Sequence, residues 1–211
     1  MYIPDAFRED DVEKLVGFMR AHSFATLVSV IDGSPFASHI PLIVRREGDS
    51  LRLIGHLAKA NLQWKAFGGG ESLAIFSGPH AYISPTLYER RESVPTWNYI
   101  VVHAYGVPQI VTLADSPPAV EKILQEVIES YDPSYASQWD ELSDKFRHGM
   151  MRGIVGFEMP VTRLEGKYKL SQNRSQADQG NVAQSLLRNT DPTIAGVGEA
   201  MRANLESVRR T

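Results

Sequence analysis

The chain reads as α+β and mainly β: an antiparallel barrel with peripheral helices and a helical C-terminal extension. Three observations predict this. Strand-like runs follow one another closely through the first half, separated by turn residues rather than by crossover helices. The stretch "FATLVSVIDGSPFASHIPLIV" sets two such runs around Asp32-Gly33, a strong hairpin signal. Strand character then returns late, in "GIVGFEMPVTRLEGKYKLS", and most simply rejoins the early sheet.

Taken in order, Asp10 to Ala21 predicts a first helix, with Val12, Leu15, Val16 and Met19 at helical spacing and acids at its positive N-terminal end. The hairpin follows. Leu51–His56 predicts a third strand after the turn-like "EGDS", and Ala60 to Phe67 a short helix stopped by Gly68-Gly69-Gly70. "SLAIFSG" and "TWNYIVVHAYGVPQIV" supply two further strands. After Thr112 the character changes. Ser116-Pro117-Pro118 opens a helix to about Ser130, with Val120, Ile123, Leu124 and Val127 on one face. Tyr131 to Ser137 reads as a connection and Asp140 to His148 as another short helix. Gly166 marks a turn or bulge in the late strand. Residues from 176 onward are mainly helical, split near "NTDPT", with Asp191-Pro192 starting the last helix. We read residues 1–211 as one domain, with about 175–211 as the helical extension.

Composition sets the outer limits. Of 211 residues, 43% are hydrophobic and 22% charged, ordinary values for a globular chain able to bury a core. A net charge of −3 supplies no global attraction to nucleic acid. There are no cysteines, so disulfides, zinc–thiolate centres and thiol catalysis are excluded. No signal peptide opens the sequence, and no apolar run approaches the roughly 20 residues of a membrane helix. The expectation is a cytoplasmic protein with no membrane partner. Neither His-x-x-x-His nor His-Glu-x-x-His occurs, so no metal site is expected, and no Gly-x-Ser-x-Gly elbow marks a hydrolase. Catalytic residues are not identifiable.

Three stretches stand out. Between His80 and Gly106 lie Tyr82, Tyr88, Trp97, Tyr99 and Tyr105, flanking a charged loop, Glu89-Arg90-Arg91-Glu92. Alternation from Thr96 puts Trp97, Tyr99, Val101, His103 and Tyr105 on one face and Asn98, Ile100, Val102 and Ala104 on the other. One aromatic and one aliphatic face suit a strand buried on both sides; the same rings suit the wall of a site for a flat ligand. "GHLAKANLQW" ends a strand and begins a helix near Ala60-Asn61. Backbone donors there favour an anion, and Lys59, His56 and Asn61 would add to them. The alternative is a solvated Lys59 and a capping Asn61. "GKYKLSQNR" gathers Lys167, Lys169, Ser171, Gln172, Asn173 and Arg174 where strand gives way to helix. Ser171 or Asn173 caps that helix, or the cluster holds a polar ligand group.

Together "MYIPDAF", "GHLAKANLQW", "GPHAYISPTLY", "VPTWNYIVVHAYG" and "GKYKLSQNR", in this order over nearly the whole chain, resemble the PaiB-type FMN-binding negative transcriptional regulators. That family's fold is the FMN-binding split β-barrel shared with pyridoxamine-phosphate oxidases. The resemblance implies a homodimer with FMN in a groove between the barrels. It places His56, Ala58, Lys59 and Asn61 at the phosphate and ribityl chain, and His39, Ile40, Pro41 and Leu42 along the ring. It further implies Trp97, Asn98 and Tyr99 reaching in from the partner subunit, and Lys169, Ser171, Gln172 and Asn173 as further cofactor contacts. It also implies repression through DNA, although no helix-turn-helix signature is present; Arg202, Arg209 and Arg210 are the phosphate contacts expected from a dimer-made surface. A flavin-dependent oxidoreductase is the alternative, and a haem-binding split barrel with an axial histidine ranks below both. Substrate and effector are not legible.

Overall fold

The computed structural model describes residues 1–112 and 116–208. Among the described residues nine strands and six α-helices follow one another: β1 (Arg8–Glu9), α1 (Val12–Ala21), β2 (Phe24–Ile31), β3 (Ser34–Pro41), β4 (Ile43–Glu47), β5 (Ser50–Ala58), β6 (Ser72–Ile83), β7 (Thr96–Gly106), β8 (Gln109–Val111), α2 (Pro117–Tyr131), α3 (Ala136–Glu141), α4 (Asp144–Met151), β9 (Ile154–Lys169), α5 (Gln176–Leu187) and α6 (Pro192–Val208). Hydrogen bonding orders the strands β3-β2-β6-β7-β9-β5-β4, with β1 and β8 also on β9. Every ladder whose register is resolved is antiparallel. Asp32 and Gly33 both take positive φ, as a two-residue hairpin between β2 and β3 requires.

The chain forms two compact units. One comprises Val16–Phe76 and His103–Leu164. Its core is built from alternating strand positions, Leu27, Leu53, Phe76, Phe157 and Met159, all buried, with Phe67 against Phe157. Helix α2 adds Val120 and Ile123 to the buried set. The second unit comprises Met1–Leu15, Ser77–Val102 and Glu165–Thr211, and is described through residue 208. Its core combines Ala81, Ile83, Ile100 and Leu170 with Val182, Val197 and Met201 from α5 and α6.

Several expectations shift. Val12 is exposed while Leu15, Val16 and Met19 are buried. The short helix expected at Ala60–Phe67 is a five-residue 3₁₀ turn, Leu62–Ala66. The helix expected over Asp140–His148 is two, α3 and α4, separated at Leu142-Ser143, where the Ser143 hydroxyl caps α4 by accepting from the Phe146 N–H. Gly166 is neither turn nor bulge. It lies within β9 opposite Glu9, and a Cβ there would fall 2.8 Å from the Glu9 carbonyl oxygen. "TWNYIVVHAYG" is buried on one face only: Asn98, Ile100, Val102 and Ala104 are inside, whereas Trp97 is 53% exposed. Expected phosphate contacts Arg209 and Arg210 lie outside the described residues; Arg202 is exposed on α6.

Candidate functional site

Register builds the first site. Strand β5 ends where its partner β9 begins, Ala58 opposite Ile154, and the Lys59 N–H donates to the Gly153 carbonyl at 2.8 Å. This pairing sets Lys59 and Arg152 at one edge of the ladder. Both line a cavity of about 480 Å³ whose remaining wall is largely apolar, with Trp64, Met151, Ile154 and Val155. The Trp64 indole is held in place by its Nε1–H, which donates to the Lys59 carbonyl at 3.0 Å. Among the described residues neither Lys59 nor Arg152 has a carboxylate partner. A cavity of this size lies within the usual range for small-molecule sites, roughly 300–1,000 Å³. Apolar walls with two unpaired cations at one side suit a flat ring system that carries an anionic tail. A smaller cleft of about 250 Å³ beside Arg20, Ser23 and Tyr131 is less apt, because its polar groups bond each other and the backbone.

The expected residues of this unit divide by role. Lys59 and Ala58 are exposed, and His56 is half-buried in β5. Asn61 is committed to structure. Its Oδ1 accepts from the Gln63 N–H at 3.0 Å and its Nδ2 donates to Ser38 Oγ at 2.8 Å. The capping account of Asn61 therefore holds. With only five residues in the following turn, a helix-end anion site at Ala60-Asn61 is withdrawn. Ile40 and Leu42 point into the core. Their approach to a ring would be through backbone alone. His39 is exposed, with Nδ1 at 3.0 Å from Thr26 Oγ1, and Pro41 is half-buried.

Burial lowers the pKa of His56 from its ordinary 6.5, and that of His22 likewise. As pH falls through about 6.5 the unfolded chain takes up these protons before the folded one, so stability is full above that pH and declines below it. Urea midpoints are expected to drop between about pH 7.5 and 5.5, and His56→Gln should flatten part of that drop.

The second unit gathers the other expected residues. Asn98 is fully buried and its Nδ2 donates to Ser171 Oγ at 2.8 Å. The expectation that Asn98 reaches into a partner subunit is corrected: its side chain is turned into its own unit. Trp97 and Tyr99 lie on the opposite face. Trp97 joins His80 and Tyr82 in an exposed aromatic cluster, with ring centroids 6.2 and 6.1 Å away, and Tyr99 lies under the Lys167 ammonium. Lys169 donates to Thr96 Oγ1, and burial lowers its pKa. Ser171 takes φ +65°, so neither it nor Asn173 caps α5; Ser175 does, accepting from the Asp178 N–H at 3.1 Å. Gln172 closes this bend through the Leu170 N–H and the Tyr168 carbonyl.

Sequence reasoning missed Arg152, Trp64 and Met151 in the first unit, whereas Tyr88 and Arg174, which line a cavity in the second, stood in stretches it singled out. Trp64 stood inside "GHLAKANLQW", but its position beside Arg152 follows from the β5–β9 register, which no local pattern encodes.

The strand order and the C-terminal helices define a protein of the α+β split-barrel class. Residues 1–163 match the family described as "Putative FMN-binding domain", and the chain belongs to that family. It is 37% identical over 207 residues to "Protease synthase and sporulation protein PAI 2" of Bacillus subtilis (strain 168), covering 98% of this chain and 99% of the relative. In structure it is similar to the flavocytochrome Anf3 of Azotobacter vinelandii, with TM-score 0.61 and 15% identity over 82% of this chain and 74% of that one. It is also similar to an FAD and heme binding protein of Mycobacterium smegmatis, with TM-score 0.60 and 14% identity over 82% of this chain and 78% of that one. At such identity the likeness is one of fold. The α+β split-barrel expectation is borne out. Among the described residues no helix is long and apolar enough to cross a membrane, and no group of three or more acids and histidines is placed to hold a metal.

Proposed function

We propose that the protein binds FMN in the cavity beside Lys59 and Arg152 and acts as a homodimeric negative regulator of transcription. The observation that carries the binding is the pairing of two cations without carboxylate partners with an apolar wall, in a chain of the FMN-binding family. In this reading Lys59 and Arg152 hold the phosphate, while Trp64, Met151, Ile154 and Val155 exclude water from the ring. His56, with its lowered pKa, is a neutral hydrogen-bonding group at neutral pH. When bound, the flavin supplies a two-electron redox centre.

The regulatory part rests on the near-full-length relative, whose name, "Protease synthase and sporulation protein PAI 2", refers to sporulation, a cellular process. The dimer rests on the exposed cluster of His80, Tyr82 and Trp97, rings that a subunit contact would cover. Sedimentation should show a dimer at micromolar concentration, and a monomer at every concentration would overturn the shared assembly. Purified protein should retain some genomic promoter DNA, with affinity falling as salt rises. If no fragment is retained at low salt and deleting the gene alters no transcript, the regulator reading fails. Turnover of a reduced nicotinamide or a pyridoxamine-type substrate would instead establish the oxidoreductase.

A further inference from the structure

The second unit contains a smaller cavity of about 190 Å³ with an unusual polar lining. That volume is below the roughly 300 Å³ at which sites for whole cofactors begin. Two cations line it, Lys169 and Arg174. Neither is paired with a carboxylate among the described residues; Lys169 bonds Thr96, and Arg174 lies over the Tyr88 ring at 4.4 Å. Two further lining residues carry buried polar atoms without a partner: Asn98 Oδ1 and the Tyr88 hydroxyl.

A buried acceptor left unpaired costs free energy that folding alone does not recover. Here the Asn98 amide is held by its other end, since Nδ2 donates to Ser171 Oγ and also contacts Met201 Sδ at 3.5 Å. The oxygen is thereby held, unpartnered and buried, in a residue of the cavity lining. Ser171 reaches this position through its left-handed backbone, φ +65°, a conformation disfavoured for a serine and costly unless the surroundings impose it. The lining residues thus combine two cations with one unpaired, buried acceptor.

Complementarity narrows the ligand class. The cations call for an anionic oxygen group. Asn98 Oδ1 calls for a donor on the same molecule. An ammonium donor is disfavoured, because it would enter a space already holding two positive charges; a hydroxyl is not. We propose that this cavity binds a small hydroxycarboxylate, with the carboxylate at Lys169 and Arg174 and the hydroxyl donating to Asn98 Oδ1. Its lining shares no residue with the cavity beside Lys59 and Arg152, and the proposal does not depend on whether FMN binds there. For a regulator such a molecule is an effector; for an oxidoreductase it is a candidate substrate.

Titration calorimetry with glycolate, acetate and glycine on the full-length protein tests it. Glycolate is expected to bind roughly tenfold or more tightly than acetate, which leaves Asn98 Oδ1 unpaired, and glycine to bind more weakly than glycolate. Lys169→Gln and Arg174→Gln should each weaken glycolate about tenfold or more. The same variants should keep the wild-type urea midpoint, which separates site loss from misfolding. Acetate binding as tightly as glycolate, no glycolate binding up to about 20 mM, or indifference to both substitutions overturns the proposal. Competitive displacement of glycolate by FMN overturns it as well, by making the cavity part of the flavin site. Failure of FMN to bind while glycolate binding persists would sink the flavin reading and leave this one standing.

Discussion

Lys59→Ala is expected to weaken FMN binding by roughly ten- to a hundredfold, the usual worth of a charge-assisted contact. The segment after Lys59 is a five-residue 3₁₀ turn capped by Asn61, not a helix whose N-terminus could hold an anion. What places Lys59 is the β5–β9 ladder, at whose end it lies with Arg152 on a mostly apolar cavity. With two cations sharing the phosphate, Arg152→Ala should cost about as much as Lys59→Ala, and the double variant should lose less than the sum, because the sites are coupled. Lys59→Arg should retain part of the affinity, since charge persists while shape changes. Riboflavin, which lacks the phosphate, should bind wild type more weakly and be almost indifferent to either substitution. Fluorescence quenching titrations with both flavins decide the matter. Equal losses for FMN and riboflavin would mean general damage to the cavity, and no loss for FMN would take both cations out of the site.

What the sequence revealed follows from the range of the interactions involved. Asp32-Gly33 fixes its hairpin through local backbone preference, so it was readable. Alternation from Thr96 separated the two faces of β7 correctly. Which face is buried was not encoded locally, because that depends on what packs there: Ser171 and Met201, seventy and more residues away, take Asn98 inside. "GKYKLSQNR" was visible as a cluster of donors. That Ser171 bonds Asn98 while Gln172 serves only the backbone depends on the bend at Ser171, which resembles a cap in sequence and is not one. Arg152 carried no local signal at all. It matters only because β9 pairs with β5 in one particular register, which brings the turn just before β9 beside Lys59, whose N–H donates to the Gly153 carbonyl.

Gly106→Ala is expected to be the most destabilising single-methyl change in the Val16–Phe76, His103–Leu164 unit, at about 3 kcal/mol or more. A Cβ at Gly106 would lie 2.1 Å from the Pro160 carbonyl oxygen, 3.1 Å from its carbonyl carbon and 2.9 Å from Met159 Cγ. The first two are backbone atoms of β9, so no rotamer change relieves the contact. Pro160 cannot retreat alone either, because it is paired with Arg52 in the β5–β9 ladder, and Met159 beside it is fully buried. The strand must shift or the pairing must open, and the same ladder positions Lys59 and Arg152. Gly55→Ala meets a gentler obstacle: its nearest neighbour is the tip of Leu42, 2.9 Å away, which can turn aside, so a smaller loss is expected. Gly149 in α4 has nothing within 4 Å, and Gly149→Ala should stabilise by about 0.4–1 kcal/mol through helix propensity and reduced unfolded-state entropy. Urea denaturation of the three variants tests the ordering. A Gly106→Ala midpoint equal to wild type would mean that β7 and β9 are not in the close contact that leaves room only for a hydrogen atom at position 106.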